Sequence, residues 1–299
     1  MGHYVTTEGG PVHVVDHGGE GRILLLVHGL GGSHLNWMAV APRLAKGHHV
    51  FSLDMPGFGV TPPHSDYRLS THAAAVAGVA TEIPAPLTLI GNSMGGLVSM
   101  RVAAYQPHLV DRLVLVSPAT APVLVDPRRH NPTALRLLAQ ATPGLGGVVG
   151  KYLRWRNTPE QQVRMALEFV THDPARIPLD LWEATVDLAR MRRKLPWSTE
   201  AVAESANAIL RAFLSWKRVA GVIGSIRCPT LVIHGSADRI VSPTSIRRLV
   251  ASRRDWTHLE LDDTGHTPHM DAPVRFSAAV REWLAEAPLP AAGTTAAAH

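Results

Sequence analysis

Short apolar runs alternate with stretches of helical spacing along most of the chain. Val12–Asp16 alternates apolar and polar positions, the pattern of a partly exposed edge strand. Further β-rich runs follow at Ile23–Val27, His49–Leu53, Leu87–Ile90, Leu113–Val116, Thr230–Ile233 and His258–Leu261. Runs that are apolar almost throughout suit parallel strands covered by helices on both faces. Between them, His34–Lys46, Thr71–Glu82, Ser93–Tyr105, Pro243–Ala251 and Pro273–Ala285 place apolar residues at helical intervals. The alternation predicts an α/β fold: a mostly parallel sheet flanked by helices.

The alternation stops after Ser117-Pro118 and resumes near Cys228-Pro229. Helical segments are expected in between at Pro132–Gln140, Pro159–Val170, Leu179–Arg193 and Glu200–Val219, with Pro143-Gly144-Leu145-Gly146-Gly147 as a loop. Four of the seven tryptophans, Trp155, Trp182, Trp197 and Trp216, fall in this stretch. The chain therefore divides into a sheet domain (1–119 and 226–287) and an inserted helical lid (120–225). A Pro/Ala/Thr-rich tail (288–299) is expected to be disordered.

Composition narrows the class. A length of 299 residues with 45% hydrophobic content suits one large α/β domain with an inserted lobe. The single cysteine, Cys228, excludes an internal disulfide framework and a cysteine-based zinc site. The start has no basic region leading into an apolar stretch, and no run nears the roughly 18 apolar residues of a membrane span. The expectation is a cytoplasmic protein without stable membrane insertion, its oligomeric state unspecified. The net charge of +5 is uneven: residues 120–225 hold 15 Lys+Arg against 9 Asp+Glu, the remainder 14 against 15. A solvated helical surface accounts for that excess, and no nucleic-acid motif accompanies it.

The chemistry centres on Gly91-Asn92-Ser93-Met94-Gly95, which lies between a strand and a helix. In a G-x-S-x-G turn of this kind the serine hydroxyl stands clear of the sheet. A serine nucleophile needs a base, a group that orients the base, and donors for the oxyanion. Each has a candidate at the end of a predicted strand, where open α/β sheets place their ligands. Asp238 follows the strand ending at Ile233, and His266 follows the one ending at Leu261. Asp262 and Asp263 sit too near His266 in sequence to orient it across the sheet. After Val27, the loop His28-Gly29-Leu30-Gly31-Gly32 offers the Leu30 N–H as one oxyanion donor, with the Met94 N–H as the second. His28 reads as a residue that orders this loop, and Asp54-Met55-Pro56-Gly57-Phe58-Gly59 as a structural turn. The histidines show no metal-ligand spacing, and no P-loop or dinucleotide fingerprint occurs, so no metal or cofactor is expected.

Together, His28-Gly29, Asp54–Gly59, the Ser93 elbow, Asp238 and Gly265-His266 resemble the α/β-hydrolase superfamily in its esterase/lipase and C–C hydrolase region. The resemblance spans about Val12 to Leu284 apart from the inserted lobe, and the order Ser93, Asp238, His266 is that of the superfamily. It implies a serine hydrolase cleaving carboxylic esters of apolar small molecules through an acyl-enzyme. Related epoxide hydrolases and haloalkane dehalogenases carry Asp at the elbow, which argues against those activities. Hydrolases of ring-cleavage products typically carry His-Gly-x-Gly-Pro-Gly and a Trp after the base, whereas this chain has Gly31-Gly32-Ser33 and Thr267. Cleavage of a vinylogous diketone, with Arg190 or Arg192 gripping a carboxylate, is the alternative activity. A small-ligand binder on the same fold is the alternative from another class. Trp155, Trp182, Arg190 and Trp197 are the candidate substrate-binding residues of the lid.

Overall fold

The computed structural model describes residues 2–120 and 145–286. The expected helix at Pro132–Gln140, the first part of the loop at Pro143-Gly144 and the tail 288–299 lie outside them. Eight strands form one sheet: β1 (Gly2–Thr7), β2 (Gly10–Asp16), β3 (Arg22–Val27), β4 (His48–Leu53), β5 (Leu87–Asn92), β6 (Val110–Val116), β7 (Thr230–Gly235) and β8 (Thr257–Leu261). Their order is β1-β2-β4-β3-β5-β6-β7-β8. From β4 across to β8 every pairing is parallel, and β1 and β2 join antiparallel at one end.

β2 is therefore not the edge. β1 covers it as a hairpin partner, and β1 escapes the hydrophobic pattern because Gly2, His3 and Tyr4 face solvent. Inside the sheet the alternation of side chains sorts two cores. In β3, Leu25 and Val27 pack with α2 (Leu69–Glu82) and α3 (Met94–Tyr105). Leu24 and Leu26 pack on the other face with Trp37, Phe276 and Val280.

Two expected helices are broken. His34–Lys46 divides into a 3-10 turn (His34–Trp37), capped by Ser33 and Asn36, and a short α1 (Ala41–Leu44). Pro42 lacks the N–H that a continuous helix would need. Glu200–Val219 divides at Ser215 into α7 (Ser198–Leu214) and α8 (Trp216–Ser225). Gly146 and Gly147, expected in a loop, lie in α4 (Leu145–Arg156).

Between β6 and β7 the described residues also form α5 (Pro159–Val170) and α6 (Leu179–Arg192). α5 and α6 enclose Val163, Leu167, Leu181 and Val186, a cluster that also takes in Met270. α8 returns the chain to the sheet, and its Val222 and Ile223 join the core beside α3. After β7 come α9 (Pro243–Ala251), α10 (Pro268–Asp271) and α11 (Pro273–Glu286). Among the described residues no helix is long and apolar enough to cross a membrane. Because β3, β5, β7 and β8 run parallel, the segments after Val27, Asn92, Gly235 and Leu261 emerge along one edge of the sheet, beneath the inserted helices.

Candidate active site

Ser93 sits between β5 and α3 with φ +53° and ψ −115°, a backbone conformation that a residue with a Cβ adopts only under tertiary constraint. The constraint is visible. The Ser93 N–H donates to Val116 O (2.9 Å), and its carbonyl accepts from Gly96 N–H (2.9 Å) and Ala119 N–H (3.1 Å). A Cβ at Gly95 would run into the carbonyls of Val27 and His28, and one at Gly91 into Gly95 O and Ser99 Oγ. The two glycines let helix and strand close on so tight a bend. Ser93 is half-buried, while its neighbours Asn92 and Met94 are buried.

His266 and Asp238 meet between the loops that follow β8 and β7. His266 Nδ1 lies 2.8 Å from Asp238 Oδ2, so Nε2 is the ring nitrogen left for proton transfer. Asp238 is held in turn: Oδ1 accepts from Ile240 N–H (2.7 Å) and Val241 N–H (2.9 Å), and His234 Nε2 lies 3.1 Å from Oδ2. Burial opposes ionisation of Asp238, but the charges and hydrogen bonds of His266 and His234 outweigh it and hold the carboxyl well below the usual range. Asn92 Nδ2 donates both to Val116 O (3.1 Å) and to His266 O (3.3 Å), tying the His266 loop to the elbow. Among the described residues no hydrogen bond joins Ser93 Oγ to His266; contacts of this kind often tighten once substrate is bound.

The loop after β3 lies against Ser93. A Cβ on Gly29 would stand 3.2 Å from Ser93 Cβ. The buried His28 ring fixes this loop: Nδ1 is 2.7 Å from Gly29 O, and Nε2 accepts from Met55 N–H (3.0 Å). Burial lowers His28 to about 4, the Asp54 charge only partly opposing, so the ring is neutral with Nδ1 protonated. It orders the loop, as expected. Neither the Leu30 N–H nor the Met94 N–H has an acceptor among the described residues.

Beneath the loop is a group that sequence spacing does not reveal. Asp54 Oδ2 lies 2.9 Å from His13 Nδ1, and its Oδ1 lies 3.0 Å from His34 Nδ1. The Val60 and His34 N–H groups donate to the same carboxylate (3.1 and 2.7 Å). The three side chains are close enough to ligate one ion. Their facing atoms already bond to one another, and burial of the carboxyl is outweighed by the two histidines, which keep it ionised. The arrangement pins the Asp54–Gly59 turn to the segment that follows β3.

Of the four expected lid residues, two face water. Trp155 is 77% exposed beside Tyr152. Arg190 is 57% exposed and paired with Glu160 (2.5 Å) and Asp187 (2.8 Å), so its charge is satisfied at the surface. Trp182 is half-buried, packed on the α5–α6 cluster with Leu35 and Met38, and Arg164 stands over its ring. Trp197 caps α7, and its Nε1 is buried without an acceptor among the described residues. Arg192 is the arginine turned inward: its Nη1 donates to Gly31 O at 3.0 Å.

A family model described as alpha/beta hydrolase fold matches residues 22–273. The chain is an α/β hydrolase. Its relatives within the family differ in chemistry. It is 28% identical over 250 residues to a pimeloyl-[acyl-carrier protein] methyl ester esterase of Aromatoleum aromaticum, covering 84% of this chain and 93% of that one. It is 29% identical over 241 residues to a 2-hydroxy-6-oxo-2,4-heptadienoate hydrolase of Pseudomonas putida, covering 77% of each. The crystal structure of wild-type Cfl2 from Burkholderia cenocepacia superposes with a TM-score of 0.80 at 20% identity, over 94% of this α/β hydrolase and 95% of that chain.

Proposed function

We propose that this α/β hydrolase cleaves carboxylic esters of apolar small molecules by acyl transfer to Ser93. The reading rests on one arrangement: a serine held at positive φ against the Gly29–Leu30 loop, with a His266–Asp238 pair tied to its neighbour Asn92. His266 Nε2 takes the Ser93 proton as Oγ attacks the acyl carbon. It then returns that proton to the departing alcohol, and activates water to release the acid. Asp238 keeps Nδ1 protonated and stabilises the imidazolium. The Leu30 and Met94 N–H groups receive the developing oxyanion, each worth on the order of 3 kcal/mol of barrier. Helices α4–α7 act as a lid whose Trp182 and Trp197 supply apolar wall, and no cofactor takes part.

The test is turnover of p-nitrophenyl esters from acetate to palmitate by wild type and Ser93→Ala. Ser93-dependent hydrolysis is expected, with a chain-length optimum that sizes the pocket. Fluorophosphonate labelling of Ser93 without ester turnover would discard the ester reading. It would bring forward C–C hydrolysis of a vinylogous diketone bearing a carboxylate, which Arg192 favours by its place against the oxyanion-side loop. Burial lowers the Arg192 guanidinium to about 10, still a cation at neutral pH. Absence of both labelling and turnover would leave the ligand-binding reading.

A further inference from the structure

Asp271 belongs to none of the motifs above, yet it is 3% exposed and sits at the root of the base loop. Its Oδ2 accepts from Gly265 N–H at 2.7 Å, one residue before His266. Both carboxylate oxygens lie 3.0 Å from the N–H of His172, where the lid chain leaves α5, and the Asp173 N–H donates to it as well. One carboxylate thus gathers backbone donors from the base loop and the lid. Burial raises the Asp271 carboxyl, and these N–H groups work against that rise.

The same seam is closed on either side of it. His266 N–H donates to Val170 O (2.9 Å), and Thr267 Oγ1 donates to the same carbonyl (3.2 Å). A Cβ at Gly265 would stand 2.6 Å from His172 N, 2.8 Å from Thr171 C and 2.9 Å from Asp271 Oδ2, so the two chains touch through bare backbone. Asp271 is itself fixed by its N–H to Thr267 O (3.0 Å), which makes residues 265–271 a loop closed by its own carboxylate.

We propose that Asp271 is a positioning residue for His266: it holds the base loop against the lid and so aims the imidazole at Ser93. The proposal rests on the serine-hydrolase reading for its catalytic consequence. Displacing a reacting group by about 1 Å can lower a rate on the order of 100-fold. Asparagine at 271 keeps size and one acceptor oxygen but turns an N–H₂ toward at least one of the backbone donors. Charge-assisted acceptance is lost, and a buried N–H goes unpaired.

Asp271→Asn, checked as folded by its thermal melt, should therefore lower kcat and the rate of fluorophosphonate labelling about 10- to 100-fold with KM nearly unchanged. In a His266→Ala background the same substitution should change residual labelling less than about twofold, because its effect passes through His266. An undiminished rate in Asp271→Asn, or an equal loss in both backgrounds, would overturn the proposal. A readout independent of turnover is the low-field proton resonance of His266 Nδ1–H, assigned by its loss in His266→Ala. Asp271→Asn should shift or broaden it. An unchanged resonance would sink the positioning role, whereas absence of any hydrolysis by wild type with a shifted resonance would fault the serine-hydrolase reading alone.

Discussion

His266 is restrained at three points, each by a different part of the chain. Asp238 takes the ring, Val170 O takes the N–H, and Asn92 takes the carbonyl. The ring contact sets which nitrogen carries the proton, so Asp238→Asn should lower kcat about 10⁴-fold while leaving the fold intact, as measured by initial rates and circular dichroism. Because Asp238 stays ionised well into acid, the proposed mechanism expects a fall in kcat/KM between neutral and acidic pH to come from the base and not from its carboxylate partner. A rate flat across that range, with chemistry limiting, would remove His266 as base. The turn at Ser93 and the pairing of Asp238 with His266 were legible because each of the three follows a strand with its own local signature. Asp54 with His13 and His34 was not, since its partners come from β2 and from the loop after β3, and no spacing links them. Arg190 and Arg192 show a different limit. Two residues apart on a helix they point about 200° from each other, so the basic run names the pair but not which arginine faces inward.

At the scale of elements, α3 fits closely against the turn after β3. Gly95→Ala would press a methyl into the Val27 and His28 carbonyls and should destabilise the protein by about 1–3 kcal/mol in urea unfolding. A variant as stable as wild type would mean that α3 slides freely along the sheet. The central strands could be read from the sequence because burial on both faces leaves runs apolar almost throughout. β1 could not: apart from the half-buried Val5 its side chains are polar or exposed, and hydrogen bonding to β2 defines it. Helix ends were obscured where a proline or a single non-helical residue interrupts continuous apolar spacing, as at Pro42 and Ser215. Trp155 illustrates the same limit, for composition records a large apolar residue but not the face of α4 that finds a partner.

For the whole molecule, the buried histidines link folding to acidity. Burial lowers His28 to about 4, and His72 and His269 to about 3, from 6.5. Above 6.5 both folded and unfolded chains hold these rings neutral. As pH falls below it, the unfolded chain takes up protons that the folded one refuses, and stability declines by about 1.4 kcal/mol per pH unit for each ring. His269 stacks on Trp37 with no partner for either ring nitrogen among the described residues, so phenylalanine can replace it. His269→Phe should make the acid decline shallower by that amount in urea titrations from pH 7.5 to 4.5; an unaltered slope would mean that His269 is charged in the fold. The arrangement of the site along the chain also has a consequence in time. The elbow at Ser93 is synthesised before Asp238, and Asp238 before the His266 loop with its Asp271 closure. On the proposed mechanism, a nascent chain halted before Gly265 carries nucleophile and acid without a base. Under that mechanism, reactivity of Ser93 marks the moment at which β8 and α10 have docked, and a fluorophosphonate becomes a clock for that docking.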